Sequence, residues 1–181
     1  MILSIDQGTT GTTVLVIDRE GRIRGRGYSE FSQIYPEPGW VSHDANEIWD
    51  TTLQATKLAL KDADIRSGDL AGIGITNQRE TVVVWDRSTG EPLHDAIVWQ
   101  CRRTANLCQD FKRNGLEPLV KARTGLVLDP YWSATKIVWL LQEVEGLRGR
   151  AVNGDVCFGP IDSCLLWKLT GGAVFATDPT N

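Results

Sequence analysis

Met1-Ile-Leu-Ser-Ile5-Asp6-Gln7-Gly8-Thr9-Thr10-Gly11-Thr12-Thr13-Val14-Leu15-Val16-Ile17-Asp18 is the stretch that decides the fold. Its first five residues start an apolar strand, and the β-branched run Thr12–Asp18 reads as a second. Between them Asp6 stands at a strand end, beside a turn with two glycines and two hydroxyls. Gly8 and Gly11 are expected to let the turn adopt positive φ, so that several backbone N–H groups converge on an anion. Thr9 and Thr10 add hydroxyl donors, and Asp6 can hold a hydrated Mg²⁺ against the same phosphate. The reading is a phosphate-binding hairpin.

Other uses of such a loop can be weighed. A P-loop needs G-x-x-x-x-G-K-[ST] running into a helix. Here no lysine precedes Lys57, and a β-branched strand follows. A dinucleotide fingerprint needs G-x-G-x-x-G, and after Gly25-Arg26-Gly27 the third glycine is replaced by Glu30. An ordinary tight hairpin stays open, since Gly and Thr suit turns and strands in any case.

At 181 residues the chain is long enough for one domain with a real core, and 41% hydrophobic with 23% charged residues are globular values. A net charge of −4 with scattered arginines argues against a nucleic-acid surface. No segment has the length of a membrane span, and no basic-then-apolar leader occurs at the start. A cytoplasmic protein without nucleic-acid or membrane partners is therefore expected. Cys101, Cys108, Cys157 and Cys164 include no C-x-x-C pair and are read as small apolar residues in a reduced compartment. His43 and His94 lack neighbours at zinc-ligand spacing.

Ile23–Phe31 extends the first two strands into an antiparallel meander, and Tyr35-Pro36-Glu37-Pro38-Gly39-Trp40 is a rigid loop. Asp44 and Glu47 resemble a capping box, opening a helix that carries Ile48, Trp49, Leu53, Leu60 and Ala63 on one face. Ala71–Ile75 and Thr81–Trp85 are expected to pair as a hairpin, followed by a turn at Asp86–Gly90 and a strand at Ala96–Trp99. Helices are expected over Arg102–Asn114, around Leu119 and Val120, after Asp129-Pro130 with Ala134, Ile137, Val138 and Leu141 inward, and after Pro160. A strand spans Val156–Phe158. This order fits an α/β domain in which a mixed sheet is flanked by helices.

Three further sites carry chemistry. Arg79 and Glu80 stand at a strand tip, where Arg donates to a hydroxyl oxygen and Glu accepts a hydroxyl proton, a pairing suited to a polyol. A solvated charge pair is the plainer alternative. Trp99 can form an apolar wall against a small ligand, or serve as core. Arg102 and Arg103 oppose the dipole of the helix they open, which invites a compensating anion. Tyr131 can aim its hydroxyl into a cleft, or be satisfied by backbone.

The motifs Ile5–Thr10, Ile34–Pro36 with Pro38–Val41, Gly74–Thr81, Ala96–Arg103 and Gly125–Tyr131 occur in order. In them the chain closely resembles the glycerol kinases of the carbohydrate-kinase family, along its whole length. The resemblance implies the actin-like, ribonuclease-H-like ATPase fold, with residues 1–181 a partial N-terminal domain and a second domain absent. It implies transfer of the γ-phosphoryl group of ATP to glycerol, with Mg²⁺ as cofactor and a homo-oligomeric full-length protein. Asp6 would position Mg²⁺, through water, and phosphate. Gly8, Thr9, Thr10 and Gly11 would form the phosphate loop. Arg79, Glu80 and Tyr131 would bind glycerol hydroxyls, with Trp99 packed on its carbons.

Another sugar or polyol kinase of the family, or a non-catalytic binding module, are the alternatives. Two departures from the family pattern matter. Thr13 stands where many relatives have an arginine, removing a positive charge near the nucleotide phosphates. The family's aspartate base, in a Gly-Asp-Gln segment, is expected beyond Asn181. No catalytic base is therefore assigned here, and this chain alone is expected to be inactive.

Overall fold

A computed structural model describes residues 1–181. The chain builds two four-stranded sheets joined by one long helix. In the first, β1 (Ile2–Gln7), β2 (Gly11–Ile17) and β3 (Ile23–Glu30) form the expected meander, and β5 (Gly72–Asn77) lies parallel to β1, giving the order β3-β2-β1-β5. In the second, β4 (Ser42–His43), β7 (Pro92–Ile97), β6 (Val82–Asp86) and β8 (Val156–Gly159) pair antiparallel in the order β4-β7-β6-β8. The α/β class is as expected, but the single mixed sheet is in fact one mixed and one antiparallel sheet.

The expected hairpin between Ala71–Ile75 and Thr81–Trp85 does not form. β5 gives its backbone to β1, with Ile2 opposite Gly72 and Gln7 opposite Asn77. β6 instead pairs with β7 and β8. The physical reason lies in β6 itself: Val82, Val83, Val84 and Trp85 are all buried, so this strand needs a hydrophobic layer on each face. Val83 and Trp85 pack toward Ile48, Ile161, Cys164, Leu165 and Trp167. Val82 and Val84 pack toward Ile97, Leu140, Leu147 and Val156. The segment between β5 and β6 therefore carries the chain from one sheet to the other.

Helix α1 (Ala45–Asp62) is capped by Asp44, whose Oδ1 accepts from the amides of Asn46 (2.8 Å) and Glu47 (3.4 Å). The reciprocal half of the capping box is missing. The Glu47 carboxylate instead accepts from Ser32 N and Oγ, each at 3.0 Å. The buried face is Ala45, Ile48, Thr51, Thr52, Ala55 and Ala59; of the anticipated Ile48, Trp49, Leu53, Leu60 and Ala63 only Ile48 is buried, and the rest of the face is made of smaller residues. Small residues are required because β3 presses its backbone on the helix. A Cβ on Gly27 would lie 1.9 Å from the Ala55 carbonyl oxygen, and one on Gly25 would lie 2.4 Å from that of Ala59.

Helices α2 (Ala105–Arg113), α3 (Glu117–Thr124), α4 (Ser133–Glu143), α5 (Leu147–Asn153) and α6 (Ile161–Leu169) complete the chain. Gly125 ends α3 in the left-handed conformation. α4 starts later than Asp129-Pro130 suggests, because the Asp129 carboxylate takes the Tyr131 amide (2.8 Å) into a turn. Its buried residues are Thr135, Lys136 and Leu140; of the set expected to face inward, Ile137 and Leu141 pack partly buried on the core, and Ala134 is exposed. α5, short and flanked by Gly146 and Gly154 at positive φ, was not anticipated. All four cysteines are free and buried, and burial pushes the Cys164 thiol up to about 11. No helix is long and apolar enough to cross a membrane.

Candidate functional site

The turn between β1 and β2 is held at both ends. Gly8 N donates to the Gly11 carbonyl (2.9 Å), and Gln33 Nε2 donates to the Thr9 carbonyl (3.0 Å). Neither Gly8 nor Gly11 adopts the expected positive φ. Space is the reason for both residues. A Cβ at Gly11 would meet Tyr28 Oη at 2.7 Å and the Ser29 carbonyl at 2.8 Å, and one at Gly8 would sit 3.1 Å from the Gly11 carbonyl. The amides of Thr9 and Thr10 donate to no protein acceptor, so two adjacent N–H groups remain available in a tight loop.

Asp6 is exposed at the end of β1, beside Thr13 across the ladder. No group of three or more His, Cys, Asp or Glu side chains is arranged to hold a metal ion. A single carboxylate suits a water-mediated contact to a hydrated Mg²⁺ whose other ligands are phosphate oxygens.

Behind the loop a closed ring of polar groups joins the two sheets. Gln78 Nε2 reaches Gln7 Oε1 (3.2 Å) and His43 Nδ1 (3.3 Å), and His43 Nε2 reaches Gln33 Oε1 (2.8 Å). Thr81 Oγ1 donates to Gln78 Oε1 (3.0 Å) and accepts from Trp99 N (3.2 Å). Trp99 Nε1 donates to Thr9 Oγ1 (3.0 Å), which closes the ring. Gln33 already donates to Thr9, so its Oε1 faces His43 as acceptor. His43 Nε2 must then carry the proton and Nδ1 accept from Gln78.

His43 is fully buried, and desolvation pushes its pKa down to about 4. An unfolded histidine titrates near 6.5, so the unfolded chain binds more protons between those values. Stability is therefore complete above the unfolded pKa and is lost as pH falls toward 4, by about 3 kcal/mol. Urea midpoints between pH 7 and pH 4 should fall in the wild type. They should fall less steeply in His43→Gln, and equal slopes would refute this role.

Glu80 and Tyr131 are both placed at the start of α4, Glu80 by its bonds to Ser133 and Tyr131 two residues before it in the chain. Glu80 holds a positive φ of 65°, a conformation that costs a non-glycine residue about 1–2 kcal/mol. The backbone so directed brings Glu80 Oε2 to Ser133, which donates through N (2.8 Å) and Oγ (2.6 Å). The carboxylate thus sits at a helix N-terminus, where the dipole favours it, and no protein donor is bound to Oε1. The Tyr131 ring lies edge-on between Trp99 (5.8 Å) and Trp132 (4.7 Å). Asp129, which orients Tyr131 through its amide, also accepts from Arg102 Nη1 at 3.1 Å.

The anion invited by Arg102 is therefore Asp129. Arg103 is compensated differently: its guanidinium stacks over Trp40 (4.3 Å) and Trp139 (4.9 Å) and donates to Ser42 Oγ (2.6 Å).

Of the anticipated residues, Thr9, Trp99 and Tyr131 thus form a connected group, and Glu80 is tied to it through Ser133. Arg79 is exposed and donates to the Thr180 carbonyl (3.2 Å) rather than to any of them.

The whole chain, residues 1–181, matches the model of the FGGY family of carbohydrate kinases, N-terminal domain. The chain belongs to this family. The FGGY domain is 57% identical to a glycerol kinase of Agrobacterium fabrum over 180 residues, 99% of this chain and 36% of that protein. It is 55% identical to one from Halothermothrix orenii over the same shares. The chain thus spans about a third of the length of the curated relatives it matches. Among solved structures it superposes on Plasmodium falciparum glycerol kinase with ADP at a TM-score of 0.85, with 36% identity, over 94% of this chain and 34% of that one. It shares the fold of a xylulose kinase from Lactobacillus acidophilus, at a TM-score of 0.75 and 20% identity over 92% and 32% of the two chains.

Seven residues behind or beside the site were missed in the sequence: Gln7, Gln33 and Thr81 of the polar ring, and Gln78, His43, Ser133 and Lys136. Gln78 lies inside the quoted Gly74–Thr81 motif, and its amide side chain between two strands was the available signal. His43 was examined only as a metal ligand. Ser133, directly after the Tyr131-Trp132 pair, and Lys136, one turn into α4, offered no local pattern that distinguishes them from surface residues of an amphipathic helix.

Proposed function

We propose that this domain is the N-terminal part of an ATP-dependent glycerol kinase, which transfers the γ-phosphoryl group of ATP to a terminal hydroxyl and yields glycerol 3-phosphate. The observation that carries the reading is the position of Trp99. Its indole N–H is bonded to Thr9 of the phosphate-type loop, and its ring stands against Tyr131. A phosphate loop and an apolar wall for a small carbon skeleton are thereby one construction, as transfer from a phosphate donor to a polyol demands. The named glycerol kinase relatives, at 55–57% identity, support glycerol over the family's other substrates.

In this reading the free Glu80 Oε1 accepts a hydrogen bond from one glycerol hydroxyl, and Arg79 and the Tyr131 hydroxyl bind others. Trp99 covers the carbons and excludes water from one side. The Thr9 and Thr10 amides and hydroxyls, with Gly8 and Gly11 allowing close approach, hold phosphate oxygens. Asp6 would hold the Mg²⁺ that accompanies the nucleotide, and the ion would neutralise phosphate charge. No residue of this domain is assigned as the base. The full-length protein is cytoplasmic and assembles as a homo-oligomer.

Arg79→Ala tests the polyol assignment in the full-length protein. Loss of a hydrogen bond from a charged donor is worth about 1.5–3 kcal/mol, so the glycerol KM should rise by about 10- to 100-fold with the ATP KM unchanged. An unchanged glycerol KM would remove Arg79 from the site.

A further inference from the structure

Lys136 is fully buried, and nothing in the proposed reaction uses it. Its Nζ donates to the Tyr131 carbonyl, and its charge faces Glu80, Asp129 and the thiols of Cys101 and Cys108. It lies in the first turns of α4, where the helix dipole opposes a cation. Burial opposes it too, drawing its pKa down to about 8 against the attraction of Glu80. An unbranched apolar side chain would fill this position at lower cost. The lysine is therefore held against the interest of stability; its hydrogen bond goes to Tyr131 and its strongest attraction is to Glu80, the two residues that face the proposed polyol.

We propose that Lys136 is a positioning residue for the polyol site. Its ammonium group fixes the Tyr131 backbone and attracts the Glu80 carboxylate, so that the Tyr131 ring and the free Glu80 oxygen keep one fixed relation. Ser133 holds Glu80 from the helix end, and Lys136 holds it electrostatically from within. The inference rests on the glycerol kinase reading. It adds a residue that touches no substrate yet sets the geometry of two that do. Such a residue acts on binding more than on turnover, because it orients groups without joining the reacting atoms.

The test is Lys136→Met and Lys136→Gln in the full-length protein, with glycerol and ATP kinetics and thermal unfolding. Lys136→Met is expected to raise the glycerol KM about tenfold, a change of the order of one charge-assisted contact. The kcat should stay within about twofold, the ATP KM should not move, and Tm should be equal or higher. Lys136→Gln, which keeps a donor for the Tyr131 carbonyl without the charge, should raise the KM less. Should Lys136→Met fail to fold, Lys136→Gln decides alone: a raised glycerol KM at unchanged Tm supports the role.

An unmoved glycerol KM overturns the role, and so does a fall in Tm of more than about 5 °C in both variants, which would make Lys136 a stability residue. Wild-type protein without saturable glycerol phosphorylation would overturn the functional reading, and this inference with it. A saturating wild type with unaltered variants overturns only the role of Lys136.

Discussion

Replacing Glu80 by alanine should raise the glycerol KM of the full-length protein about a hundredfold. Three losses combine. The polyol loses its charged acceptor, a contact worth about 1.5–3 kcal/mol. The Ser133 amide and hydroxyl at the start of α4 lose the carboxylate that accepts both, which frees the helix end beside Tyr131. The buried Lys136 charge loses the carboxylate that most opposes its desolvation. Glu80→Gln separates these effects. It keeps an acceptor for Ser133 but not the charge, and should raise the KM by about tenfold. Steady-state kinetics with glycerol and ATP varied in turn check both. Equal KM values for wild type and Glu80→Ala would place Glu80 outside the substrate site.

Gly27→Ala should be the most damaging small substitution in the fold. The added methyl would meet the Ala55 carbonyl oxygen at 1.9 Å and the Ala59 amide nitrogen at 2.8 Å. Both neighbours are backbone atoms of α1, so no rotamer change relieves the clash, and the helix must lift from β3. Overpacking of this kind costs about 3 kcal/mol, a large share of the ~5–15 kcal/mol that holds an ordinary domain together. Gly68→Ala is the control, since a Cβ there meets nothing within 4 Å. Urea unfolding should show a sharply lowered midpoint for Gly27→Ala and a near-native one for Gly68→Ala. Matching midpoints would mean that α1 is free to shift and that the close approach is not required.

These two positions mark what could and could not be read in the chain. The β1–β2–β3 meander was legible because the apolar start Met1–Ile5 and the β-branched run Thr12–Asp18 flank a glycine-containing turn, a signal local in sequence. The glycines of β3 were noticed only as a failed dinucleotide fingerprint, because their neighbour is a helix about thirty residues downstream in sequence and invisible to local pattern. Gly8 and Gly11 were noticed for a positive φ that neither adopts; a Cβ at Gly11 would clash with Tyr28 and Ser29 of β3, and one at Gly8 would crowd the Gly11 carbonyl. The partners of β5 and β6 could not be decided from two apolar strands separated by a short link. That choice depends on β1 offering a free edge and on two separate hydrophobic layers enclosing β6.

The candidate site follows the same division. Trp99, Glu80 and Tyr131 were legible as residue types with the right chemistry near element ends. Their supports were not. Ser133 matters through a carboxylate 53 residues away, and His43 through the amide side chains of Gln33 and Gln78, 10 and 35 residues away. Lys136 reads as a solvated helix residue until the fold encloses it. Arg79 was legible as a donor, but its bond to Thr180 depends on how the end of the chain folds back along β5.

The central claim is that the Thr9 loop and the Trp99–Tyr131–Glu80 wall form a single site for phosphoryl transfer to glycerol. Its most direct test is kcat/KM of the full-length protein for ATP-dependent phosphorylation of glycerol, measured beside that for a ketopentose such as xylulose. The account predicts saturable glycerol phosphorylation with kcat/KM well above that for the ketopentose. A ketopentose preference, or no glycerol phosphorylation, would contradict it.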